Sequence, residues 1–121
     1  MRLTAKKAFE ELENEHWHFS FFEFVDDFRA MSYDLSLVTD EPENLLMKNE
    51  GALLRSIVYQ LCIEGGISED KIPIWALKRQ WLSDPWFVSG INNLYAMALV
   101  ESPLPFRNNN IFVLENFLNR A

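Results

Sequence analysis

Residues 20–32 read SFFEFVDDFRAMS, and the fold class turns on how they are taken. Phe21, Phe24, Val25, Phe28 and Met31 recur at i, i+3, i+4, i+7 and i+10, so a helix gathers them into one apolar stripe and leaves Glu23, Asp26 and Asp27 in water. Ser20 stands where an N-cap belongs, with Glu23 three residues on, which predicts a capping box at the start of that helix.

Working outward, the preceding segment TAKKAFEELENEHW (4–17) puts Thr4 before good helix formers and spaces Phe9, Leu12 and His16 or Trp17 along one face. It predicts a helix that either stops before Ser20 or runs through it. YDLSLVT (33–39) alternates apolar and polar residues, but a lone strand has no partner, so it is expected to be an ordered connector. From 39 to 66 a helix is expected, with Thr39 or Asp40 as cap and Pro42 in its first turn. Leu46, Leu53, Leu54, Ile57, Val58, Leu61 and Cys62 would form its buried face, with Gly51 as a divider and Gly65-Gly66 as the stop. Trp75, Leu77, Trp81 and Leu82 predict a short helix ended by Asp84-Pro85. Ile91, Leu94, Tyr95, Ala98 and Leu99 predict another, up to Ser102-Pro103. In the last segment, Asn108, Asn109 and Asn110 precede Ile111, Leu114 and Leu118, which predicts an Asn-capped helix behind a proline-extended loop.

No second kind of periodicity competes with the helical one. The expectation is an all-α protein, a compact single-domain bundle of about five to seven helices spanning residues 1–121. With 10 Phe, 3 Tyr and 4 Trp in 121 residues, its core should be rich in aromatic rings. A lone cysteine, Cys62, in an apolar run suits a reducing, cytoplasmic setting, and no run approaches the ~20 apolar residues of a membrane helix.

The net charge of −7 is unevenly placed: residues 1–50 hold five Lys and Arg against twelve acids, whereas residues 51–121 hold six of each. Phosphate binding needs the opposite balance, so no nucleic-acid partner is expected, and a basic protein surface is. Glu10, Glu11, Glu13, Glu23, Asp26 and Asp27 are the acids expected to steer it. Trp75, Trp81, Trp86 and Arg107 are candidate contacts, since Trp and Arg dominate binding hot spots. For the tryptophans the competing reading is core packing, with Lys78-Arg79 as the wet side of their helix. For Arg107 it is an intrachain ion pair.

Glu13-x-x-His16 and Glu15-x-x-His18 have the spacing of carboxylate-bridged metal bundles, but those need a second such motif and the chain has no further histidine. No cofactor is therefore expected, and His16, His18, Glu13 and Glu15 are the only candidate metal ligands. There is no Gly-x-Ser-x-Gly and no phosphate-cradling glycine loop among the four glycines, and Cys62 has only Arg55 as a nearby cation. The expected function is thus that of a non-enzymatic, small acidic helical protein binding a partner protein, as inhibitors, antitoxin or immunity partners and adaptors do. A metal- or small-molecule-binding helical enzyme is the alternative. A helix-turn-helix regulator reading DNA with residues 74–82 is the weakest. An aromatic-rich surface would also suit a symmetric homodimer.

Overall fold

A computed structural model describes residues 2–119. They form six α-helices joined by 3₁₀ turns, with 56% of the described residues helical, the 3₁₀ turns included, and 3% in strands. The two long helices carry the core: α2 spans Trp17–Ala30 and α3 spans Asn49–Glu64. The shorter ones are α1, Ala5–Glu10; α4, Ile74–Leu77; α5, Tyr95–Glu101; and α6, Leu104–Arg107. The small sheet is a departure from an all-α fold: β1, Trp86–Phe87, pairs in parallel with β2, Ile111–Phe112.

The stripe that decided the fold class packs as its spacing demands. Phe21, Phe24, Val25 and Phe28 of α2 are fully buried, as are Leu53, Leu54, Ile57, Val58, Leu61 and Cys62 of α3. Each large apolar side chain so buried contributes about 1.5–3 kcal/mol. All belong to a single hydrophobic cluster that also takes in Phe106 and Ile111 from the C-terminal third.

Several boundaries differ from the sequence expectation, each for an identifiable reason. The first helix, capped by Thr4 Oγ1 accepting the Lys7 N–H at 3.1 Å, stops at Glu10 and gives way to a 3₁₀ turn at Glu11–Glu13. Helix α2 then begins at Trp17, where the His16 Nδ1 caps it by accepting the His18 N–H at 3.2 Å. Ser20 therefore lies inside the helix, buried, and caps nothing.

Helix α3 starts at Asn49, ten residues after Thr39, whose Oγ1 donates to the Leu35 carbonyl instead. Ahead of α3, Asn44 adopts a left-handed φ of 63° and a 3₁₀ turn at Leu45–Met47 folds against the helix. Gly51 permits that contact rather than dividing the helix: a Cβ there would lie 2.0 Å from the Leu45 carbonyl oxygen. The expected stop at Gly65-Gly66 is present as a complete Schellman motif. Gly66 is at φ 72°, its N–H donates to Ile63, and the Ile67 N–H reaches back to Cys62.

Residues 74–82 do not form one helix. Helix α4 ends after Leu77, because the following backbone is held elsewhere: buried Arg55 donates to the Trp75 carbonyl (2.6 Å) and to Gln80 Oε1 (2.8 Å), and the Gln80 N–H donates to Asn109 Oδ1 (2.7 Å). The helix expected over residues 74–82 is therefore reduced to the single turn Ile74–Leu77.

The three asparagines start no helix either. Asn109 and Asn110 are buried, and the chain runs from them into β2. Asn109 Nδ2 donates to Ser56 Oγ (2.9 Å) and the Ala52 carbonyl (3.3 Å), while Asn110, left-handed at φ 63°, donates from Nδ2 to the Leu82 carbonyl (2.8 Å). The two side chains thus satisfy backbone groups of the 78–85 segment, the Gln80 N–H and the Leu82 carbonyl, that burial would otherwise leave unpaired, and tie that segment to α3. The proline-bearing stretch before them forms the short helix α6 rather than an extended loop.

Candidate functional site

The N-terminal acids and the irregular 43–48 segment meet on one face. The turn at Leu45–Met47 leaves Met47 78% exposed and Leu46 76% exposed, while Leu45 goes into the core. On one side of Met47 lies a groove of about 420 Å³ lined by Phe9, Glu10, Glu13, Glu43 and Lys48. A second, shallower groove of about 570 Å³, which Met47 also borders, is lined by Lys48, Glu50, Asp84, Pro85 and Trp86. Met47 and Lys48 border both. The pair of grooves therefore carries five carboxylates and one ammonium around a projecting thioether. The Lys48 Nζ lies 5.9 Å from the Phe9 ring centroid, where the ring face attracts it.

Of the six acids expected to steer a partner, Glu10 and Glu13 line this face. Glu11 sits half-buried in the intervening turn, and Glu23 and Asp26 lie exposed on α2 outside both grooves. Asp27 is used internally: its Oδ2 accepts the Leu3 N–H at 2.7 Å and its Oδ1 lies 3.6 Å from the Arg2 guanidinium. Glu43, Glu50 and Asp84 were not among the acids expected to steer a partner; the fold of the 39–48 connection brings Glu43 beside Glu10 and Glu13, and Glu50 and Asp84 line the groove that shares Met47 and Lys48 with theirs.

The tryptophans divide. Trp75 is a core residue whose indole N–H donates to the Val38 carbonyl at 2.9 Å. Trp86 is half-buried at the edge of the acidic face, and Trp81 stands 65% exposed. Among the described residues Arg107 has no ion-pair partner, and its guanidinium is not free. Its guanidinium donates to the carbonyls of Ser102 (2.7 Å), Val100 (2.9 Å) and Leu99, the end of α5, where a cation also complements the helix dipole.

The four candidate metal ligands are not brought together. Glu13 lines the acidic groove, whereas His16 and His18 line a different, apolar cleft. Among the described residues no three His, Cys, Asp or Glu side chains form a set able to hold a metal ion. Burial pushes the Cys62 thiol up to about 11, so at neutral pH it is an unreactive buried thiol.

That apolar cleft, of about 580 Å³, lies at the N-terminus of α2. Its floor is an aromatic cluster in which Trp17 meets Trp86 edge-on at 6.1 Å and Phe117 at 6.3 Å, with Phe117 also edge-on to Phe22 at 5.5 Å. No helix among the described residues is long and apolar enough to cross a membrane. No protein-family model, curated protein or solved structure matches the chain.

Proposed function

We propose that the protein is a non-enzymatic binding protein that docks a basic segment of a partner protein along the acidic face around Met47. The observation that supports this most is the pair of grooves sharing Met47 and Lys48, with Glu10, Glu13, Glu43, Glu50 and Asp84 around them. Clustered like charge beside exposed apolar groups suits recognition: the carboxylates raise the encounter rate and reject acidic competitors, and the thioether adapts to an apolar anchor. Binding rather than turnover fits the openness of these grooves, because electrostatic catalysis depends on a water-excluded site.

The test uses a peptide that alternates Lys or Arg with Leu, and a salt series. The protein should bind it with an affinity that falls about tenfold between 50 and 300 mM salt, as screening of several exposed pairs requires. Replacing Glu10, Glu13 and Glu43 together by Gln should cost a comparable factor at low salt, while Glu69→Gln with Asp70→Gln, outside both grooves, should cost little. Equal affinity of the triple variant at low salt would remove the proposal.

A further inference from the structure

The apolar cleft at the start of α2 differs electrostatically from every other cleft described on this acidic chain. The grooves beside Met47 contain Glu10, Glu13, Glu43, Glu50 and Asp84, and two smaller clefts near the C-terminal segment contain Glu64, Glu101 and Glu115. The α2 cleft has no carboxylate in its lining, although Glu15 and Glu115 are chain neighbours of residues that line it. Glu115 lines the two smaller clefts instead, and its backbone N–H donates to Glu101 Oε1 at 3.0 Å. In place of acids the cleft holds both histidines of the chain.

The His16 imidazole is set up as a donor. His16 Nδ1 is occupied by the His18 N–H, which leaves Nε2–H as the donating nitrogen of His16. His18 packs its ring against Phe22 (4.8 Å) and Phe19 (5.9 Å). Helix α2, fourteen residues long, begins at Trp17, so the positive end of its dipole falls on the same rim. Behind the rim the walls are apolar: Trp17, Val88, Val113 and Phe117. A volume of about 580 Å³ is that of a small-molecule site, with an apolar body and few convergent polar groups.

We propose that this cleft binds a small amphiphilic carboxylate, its aliphatic or aryl body against Trp17, Val88 and Phe117 and its carboxylate on the imidazole N–H groups of His16 and His18. The acid-free lining makes an anionic head the complementary one in a chain that repels anions elsewhere. The site shares no lining residue with the acidic face around Met47, although Trp86 of that face meets Trp17 edge-on.

The experiment compares octanoate, octan-1-ol and octylamine by calorimetry, with methyl NMR shifts of Val88, Val113 and Leu114 to locate binding. Octanoate should saturate one site about tenfold more tightly than the alcohol, the increment of a charge-assisted over a neutral hydrogen bond, and octylamine should bind weakest. The variant His16→Ser with His18→Gln retains a helix-capping oxygen at position 16 and should lower octanoate affinity to that of octanol, leaving octanol unchanged. A second variant, Leu114→Glu, should invert the order of octanoate and octylamine. Octanoate binding no tighter than octanol, selectivity that survives the histidine replacements, or shifts confined to other methyl groups would each overturn the proposal.

Discussion

Replacing Asn109 by Ala tests the central structural finding in the C-terminal third, that the asparagine run ties the molecule together from inside. The Asn109 side chain, 3% exposed, accepts the Gln80 N–H at 2.7 Å and donates to Ser56 Oγ at 2.9 Å and the Ala52 carbonyl at 3.3 Å. The Ala52 carbonyl retains Ser56 Oγ as a donor at 2.9 Å, so its loss is small. The Gln80 N–H has no such substitute, and an orphaned buried donor costs ~1–3 kcal/mol, to which the lost bond to Ser56 adds ~1 kcal/mol. The expected destabilisation is therefore about 2–4 kcal/mol. It is read as a lowered urea midpoint at unchanged m-value, followed by far-ultraviolet circular dichroism and tryptophan fluorescence. Asn108, half-buried and outside this network, supplies the control: Asn108→Ala should cost no more than about 0.5 kcal/mol. A helix capped by this run would instead lose about 1 kcal/mol at whichever asparagine served as cap. If Asn109→Ala costs under 1 kcal/mol, or Asn108→Ala costs as much, the buried-knot account is wrong.

Gly51→Ala should destabilise despite the better helix propensity of Ala. That propensity is worth ~1 kcal/mol, and a Cβ 2.0 Å from the Leu45 carbonyl oxygen must push the whole 45–47 turn off α3. An unchanged or raised melting temperature would show that the contact is not close in solution. Cys62 should react with a thiol reagent only through unfolding, so its modification rate at pH 8 should follow the urea transition; labelling within seconds in the folded protein would contradict the burial. The third test concerns Glu64, whose carboxylate is held below its usual range, first by its hydrogen bonds to Arg29 at 2.7 and 2.8 Å and then by Tyr33. A depressed folded value means stability that is fully present above the unfolded value of about 4.3 and is lost as pH falls through the lower folded one. Urea midpoints of the wild type and Glu64→Gln should accordingly differ at pH 7 and converge in strong acid; a gap independent of pH would refute the linkage.

What the sequence made legible was the part of the fold set by periodicity. The stripes of α2 and α3 and the glycine stop after α3 depend on local spacing and one left-handed residue, and they are found as read except at the stripe ends, where Met31 and Leu46 fall outside the helices and are exposed. Missed were the places where a distant side chain takes over a backbone group. Helical spacing at Trp75, Leu77, Trp81 and Leu82 was overridden because Gln80 answers to Asn109, and Arg55 to the Trp75 carbonyl, across 29 and 20 residues. Ser20 and Glu23 form a good local capping pattern, yet His16 caps four residues earlier because the chain must turn there to bury Trp17. The candidate site was legible in its charge and not in its membership. Glu10 and Glu13 belong to an acidic half visible in composition, but Glu43 enters their groove only through the left-handed Asn44 and the turn that follows it, and Glu50 and Asp84 line the neighbouring groove that shares Met47 and Lys48.

Both proposed sites are built largely from irregular backbone: residues 43–44, 47–48 and 84–86 border the acidic face, and residues 88–89, 113–114 and 116–117 line the cleft together with the start of α2. Such segments hold a shape only if something rigid positions them, and here that is the buried polar network rather than the apolar core alone. Gln80 Nε2 donates to the carbonyls of Leu45 (2.8 Å) and Lys48 (3.1 Å), which ties the Met47 turn to the 78–85 segment. Asn110 ties that segment to β2, where the Trp86 N–H donates to the Asn110 carbonyl at 3.0 Å and the Val88 N–H to Phe112 at 3.1 Å. Loosening this network should therefore affect both sites while the helices persist. In Gln80→Ala, amide exchange should accelerate at least tenfold at Trp86 and Val88 and at the Met47 N–H, which donates to the Asn44 carbonyl, with much smaller changes at Leu53, Leu54 and Ile57 in α3. Sub-global opening of that kind predicts weaker binding at both sites under conditions where circular dichroism is unaltered. Exchange that accelerates uniformly through α3 would mean that the network and the core unfold as one unit, and that the sites have no independent support.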